Sequence, residues 1–178
     1  MTDPHTKMRF PGYDDTKTGV FENADDLLAT LTPTEQQGWY LYTAREGRPM
    51  RFVRHNGEIV EPGTFFSDLG TIPRFLRIGR LLQPDSYPAV ALIHDWLVRR
   101  HNCGDQRYGF RESILIQQEA LKTWMETHPK DRCRLIFWLT RQGLKTKRSK
   151  DGWDYRFSHC PPTLDELLAA QRRLSRRR

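Results

Sequence analysis

The sequence offers no apolar stretch near the ~18 residues that a membrane helix needs. Its opening residues, MTDPHTKMRF, lack the apolar core of an export signal. Membrane spanning and Sec export are therefore not expected. Cysteine is scarce: Cys103, Cys133 and Cys160 are an odd set with no CxxC spacing. That speaks against both a disulfide framework and a zinc ribbon, so a reduced, cytoplasmic protein is expected. The chain also lacks GxGxxG, GxxxxGK[ST], GxSxG and HExxH. Dinucleotide enzymes, P-loop NTPases, common serine hydrolases and zincin proteases are disfavoured accordingly. There is no internal repeat.

What is present suits one folded domain. The 178 residues suffice for a core without staples, and five tryptophans, nine phenylalanines and six tyrosines supply large apolar surfaces for it. The net charge of +7 is unevenly placed, because Arg172, Arg173, Arg176, Arg177 and Arg178 crowd the C-terminal end. Taking these five from 29 basic residues leaves 24 against 22 acidic ones, so the body is close to neutral. A second basic cluster, Lys145, Lys147, Arg148 and Lys150, precedes Asp151. Such runs attract nucleic acid or other polyanions, although most runs of this size are solvated ends.

Residues 1–19 read as an irregular arm, rich in proline and glycine with few apolar positions. A short helix is expected around Asp25, Leu27, Leu28 and Leu31. Aromatic and β-branched runs at 39–43, 50–54, 58–60 and 64–66 then predict a small antiparallel sheet of three or four strands. Asn56-Gly57 is its tight-turn signal. Asp85-Ser86 and Pro88 predict the start of a helix running to about His101, with Ala89, Ile93, Trp96 and Leu97 inward. Asp105 is placed to cap a longer helix ending near His128-Pro129, with Phe110, Ile114, Leu121, Trp124 and Met125 as its core face. Pro129 opens a third helix stopped by Gly143, and Trp153–Phe157 reads as an additional strand. Thr163 and Glu166 have capping-box spacing for a last helix. The expected class is α+β: hairpins first, then a bundle of three to four helices, in a single domain over 20–170 with an arginine tail at 171–178.

Two segments stand out chemically. Phe65-Phe66-Ser67-Asp68-Leu69-Gly70-Thr71-Ile72-Pro73 sets a carboxylate between an apolar strand and a proline turn. Ala91-Leu92-Ile93-His94-Asp95-Trp96-Leu97 sets a His–Asp pair in an apolar helix, where an ionisable pair costs several kcal/mol unless partnered. Asp68 and Asp105 are natural partners from outside that helix. Carboxylates converging on one histidine either orient it as a base or hold a cation.

These residues, in this order, resemble the domain of unknown function 1353 family, which occurs in bacteria and is common in phages and prophages. Ser67 and Asp68 match its first element, Thr71 and Pro73 the second, His94, Asp95 and Leu97 the third, and Asp105 the fourth. Ser67 stands where threonine is usual and Gly104 where alanine is usual. The likeness spans roughly residues 50–128. It implies a phage setting, inside the bacterial host or associated with the virion, and candidate residues rather than a reaction.

Two functional readings follow. In the first, the protein is a hydrolase: His94 is the general base or a metal ligand, Asp95 and Asp68 orient it or bind a divalent cation with it, and Asp105 completes the site. A His…His-Asp…Asp phosphohydrolase arrangement would recruit His55, which lies in a hairpin rather than on a helix. His101 cannot join His94 on one metal, because seven helical residues separate them by ~10.5 Å. Cys103 is a further nucleophile candidate, more simply read as a small turn residue. In the second reading the protein is a non-catalytic phage accessory, a virion or tail-assembly component or a binder of a host protein. There Arg172, Arg173, Arg176, Arg177 and Arg178 contact nucleic acid or an acidic partner.

Overall fold

A computed structural model describes residues 12–25, 27–69 and 87–176. The N-terminal half holds two three-stranded antiparallel sheets rather than one. In the first, β1 (Val20–Glu22) pairs with β4 (Arg51–Val53), which pairs with β5 (Ile59–Val60). In the second, β2 (Leu31–Pro33) pairs with β3 (Tyr40–Tyr42), which pairs with β6 (Phe65–Ser67). The β4–β5 hairpin turns at Asn56-Gly57 as the sequence predicts: Gly57 takes a φ of 84°, and the Glu58 amide donates to the Asn56 side chain. The helix expected around Leu27 is only a 3-10 turn, Leu27–Thr30, and the chain leaves it directly into β2. Pro33 ends that strand opposite Tyr40, an edge position where its missing N–H costs no ladder bond.

Five α-helices follow among the described residues: α1 (Pro88–Asn102), α2 (Phe110–Thr127), α3 (Arg134–Leu144), α4 (Lys147–Trp153) and α5 (Leu164–Arg176). Pro88 opens α1, but the cap position is Tyr87, and Asp85 and Ser86 lie outside the described residues. The Asp105 expectation also changes: α2 starts at Phe110 behind Gly109, so Asp105 does not cap it. Gly143 sits inside α3 rather than stopping it. Trp153 ends α4 instead of starting a strand, and the run that contains Lys147, Arg148 and Lys150 is this helix, capped by Thr146 accepting from the Ser149 amide. The arginine tail is likewise ordered as the last turn of α5 through Arg176, while Arg177 and Arg178 lie outside the described residues.

One core joins sheets and helices. Ala89, Leu92, Ile93 and Leu97 of α1 meet Ile116, Ala120, Leu121 and Met125 of α2, with Phe52 and Phe65 reaching in from the two sheets. Trp96 is half-buried at the edge of this core, its ring 5.4 Å from that of Phe65. Within the arm, Tyr13 is buried edge-on against Phe137, 5.1 Å between ring centres, and its hydroxyl donates to Glu126. Cys103 and Cys160 are joined by a disulfide across 57 residues, which corrects the expectation of a reduced chain; Cys133 is free.

Candidate functional site

The Ser-Asp and His-Asp segments do meet, through Ser67 rather than Asp68. The Ser67 hydroxyl donates to Asp95 Oδ2 at 2.5 Å and accepts the Leu69 amide at 2.9 Å. One buried serine thus ties the end of β6 to α1. Leu69 is held in the left-handed region, φ 53°, a costly conformation for a branched side chain. Asp68 points its carboxylate elsewhere, accepting from Gln171 Nε2 of α5 at 3.3 Å. Thr71 and Pro73 lie outside the described residues.

His94 turns away from Asp95, as residues about 100° apart on a helix must. Its ring forms one wall of a cavity of about 140 Å³ between α1, α2, α3 and α4, where Phe110, Ile114, Leu144 and Trp153 are apolar neighbours and Ser113 and Ser149 polar ones. Its Nδ1 is buried without a hydrogen-bond partner. Burial pushes the imidazole down to a pKa of about 4, so it is neutral at neutral pH. Asp105 is engaged locally: Oδ1 accepts the Arg107 amide at 2.9 Å, and Oδ2 accepts Arg100 Nε and Nη2 at 2.9 and 2.7 Å. The Arg107 amide first, then Arg100, hold its carboxyl below the usual range. Among the described residues no three histidine, cysteine or carboxylate side chains form a group able to hold a metal ion. His94, Asp95 and Asp68 therefore make no shared ligand set there.

The structure assembles two charged sites that the sequence leaves scattered. The first is a buried network on α2. Arg54, its side chain 7% exposed, meets Glu119, 4% exposed, at 3.3 Å, and also Glu58 and Glu112 at 2.5 and 3.4 Å. Glu119 further accepts the His55 amide and lies 3.1 Å from His55 Nδ1, while Tyr108 donates to Glu58. His55 is thus bound to a structural glutamate rather than to His94. Burial alone would raise the Glu58 pKa, but the Tyr108 hydroxyl and Arg54 outweigh it and lower it. No spacing rule finds this cluster, because its members come from a hairpin and from a helix more than fifty residues away.

The second site is a basic surface. α4 packs on α5, with Leu174 facing Gly152. This puts exposed Lys145, Lys147 and Arg148 on and before one helix, and exposed Arg172, Arg173 and Arg176 on its neighbour. None of these six makes an ion pair with another described residue, whereas Lys150 is occupied by Asp154. Two runs separated in sequence are thus carried on and beside two helices in contact.

No protein-family model matches the chain, and no curated protein or solved structure matches it either. These comparisons give no support to the resemblance to the domain of unknown function 1353 family; of its motif residues, Ser67, Asp68, His94, Asp95, Leu97 and Asp105 have a described place in the fold.

Proposed function

We propose that the protein is a non-catalytic binding protein that holds a polyanion, nucleic acid foremost, on the face formed by α4 and α5. The observation that carries this reading is the packing of α4 on α5, which sets six exposed cations without acidic partners, among the described residues, on and just before adjoining helices. Cations left unpaired on neighbouring elements repel one another and gain from a shared counter-charge; a run of phosphates supplies it and releases condensed counterions. In the phage setting that the motif resemblance implies, such a face suits an accessory that contacts packaged or host nucleic acid.

Binding of a labelled 20-base-pair duplex across a salt series tests the reading. The expected plot of log affinity against log salt has a slope of about −3.5 to −5.5, as four to six phosphate contacts give. Lys147→Glu with Arg148→Glu should weaken binding about as much as Arg172→Glu with Arg173→Glu. Absence of salt-dependent binding, or an α4 pair without effect, sinks the proposal.

A hydrolase reading has one observation in its favour: the strained Leu69, locked by Ser67 beside Asp68, is the kind of backbone that gathers at functional sites. Its test is a hydrolase substrate screen followed by His94→Ala and Asp68→Asn in protein shown to be folded. Unchanged turnover in both variants removes it.

A further inference from the structure

The bridge between Cys103 and Cys160 occupies a position that matters for the basic face. Cys103 lies directly behind α1, and Cys160 four residues before α5, so the bond staples the entry to α5 onto the end of α1. Among the described residues, α5 packs through a half-buried face, Leu164, Leu167, Leu168 and Leu174, rather than a fully buried one. Ala170 is its one buried residue among those described, Leu174 rests near Gly152, and Gln171 donates to Asp68. The Glu166 side chain bonds to the preceding Ser158 and His159, and the Glu166 amide donates to Thr163 Oγ1. α4, by contrast, is anchored independently of the bridge. Asn102 donates to the Gly152 carbonyl and buried Trp153 stacks on His101 at 4.1 Å, while behind α4 the Phe157 amide donates to the Asn102 carbonyl and Arg156 bonds the His101 carbonyl. Cutting the bridge therefore loosens one half of the basic face and leaves the other in place.

We propose that Cys103–Cys160 is a thiol–disulfide exchange site whose reduction releases α5 from α4 and so weakens polyanion binding. The inference rests on the function proposed above for that face. Cys160 is exposed while Cys103 is half-buried, so Cys160 is the end that an incoming thiolate reaches. A thiolate of a dithiol reductant attacks the Cys160 sulfur, the S–S bond breaks, and Cys103 leaves as a thiolate that takes up a proton. The second thiol of the reductant then displaces Cys160 and closes the reductant's own disulfide. Two electrons pass from the dithiol to the protein, and both cysteines end as thiols.

The chain with Cys133→Ser, which prevents reshuffling, is compared oxidised and after treatment with dithiothreitol; Cys103→Ser with Cys160→Ser in the same background serves as a permanently open form. Hydrogen exchange is followed on 147–153 and 164–176, and duplex binding is measured on each form. The expected result is at least tenfold faster exchange in 164–176, unchanged exchange in 147–153, and duplex binding weakened about tenfold. The salt slope should fall by two to three, as loss of the three arginine contacts requires. The doubly substituted protein should match the reduced one and ignore dithiothreitol. Equal protection of 164–176 in both redox forms overturns the release, whatever the binding result. Release with unchanged affinity overturns the coupling to binding. Failure of the oxidised protein to bind the duplex at all overturns the function reading instead, and is told apart because the exchange result stands without a ligand.

Discussion

His94 shows how a single side chain can be shaped by its surroundings more than by its neighbour in sequence. An imidazole next to an aspartate is expected to be drawn toward protonation, yet the helix turns the two apart and apolar packing lowers the ring's pKa from 6.5 to about 4. The sign follows from linkage. The unfolded chain takes up a proton at this ring near pH 6.5, whereas the folded one resists until about pH 4. Its contribution to stability is therefore constant above pH 6.5, falls as the pH drops between those values, and is flat below. The loss amounts to at most about 3 kcal/mol, since each unit is worth about 1.4 kcal/mol and the ring is only half-buried. A His94→Leu variant keeps the bulk without the titration. Thermal melts from pH 7 to pH 4 should show a shallower decline in midpoint for that variant than for the parent. Parallel curves would mean that the ring is solvated in the folded state.

Between elements, the least exposed ion pair among the described residues is Arg54 of the β4–β5 hairpin against Glu119 of α2. Both are nearly inaccessible, so removing one strands the other charge in a low-dielectric place. Arg54→Met should cost about 3–5 kcal/mol, and adding Glu119→Leu should recover most of it, because an apolar pair replaces a buried ion pair with little loss. Urea unfolding of both proteins measures this; a double variant no better than the single would show that Glu58 and His55 depend on Glu119 as well. Elements also show where sequence reading succeeds. α2 is legible because Ile114, Leu121, Trp124 and Met125 repeat at helical spacing, and the Asn56-Gly57 turn because only residues tolerant of positive φ fit it. β1 and β2 are missed because three residues are too few for an alternation to register. α4 is missed for a related reason: its only described buried residue is Trp153, so it has no apolar period and its charges read as a solvated run. The link from Ser67 to Asp95 is invisible for want of any cue: both oxygens could equally have found water or backbone, and the sequence points to the ionisable Asp68 instead. The disulfide is hidden for the same reason, since a separation of 57 positions carries no spacing signal.

At the scale of the molecule, the two sheets are threaded through each other. The pairing of β1 with β4 encloses β2 and β3, while that of β3 with β6 encloses β4 and β5. Each sheet therefore takes strands from both sides of the exposed turn at Arg45, Glu46, Gly47 and Arg48. A break there hands β1, β2 and β3 to one fragment and β4, β5 and β6, with α1 to α5, to the other. The pieces are complementary along two separate seams, and Tyr13 adds a third attachment by docking against Phe137 of α3. Coexpressed as 1–46 and 47–178, they should reassemble and copurify, whereas Phe52→Asp, which places a charge at the β1–β4 seam, should leave them apart. The chain thus carries a natural split point, at which two halves joined to separate baits would report on the meeting of those baits.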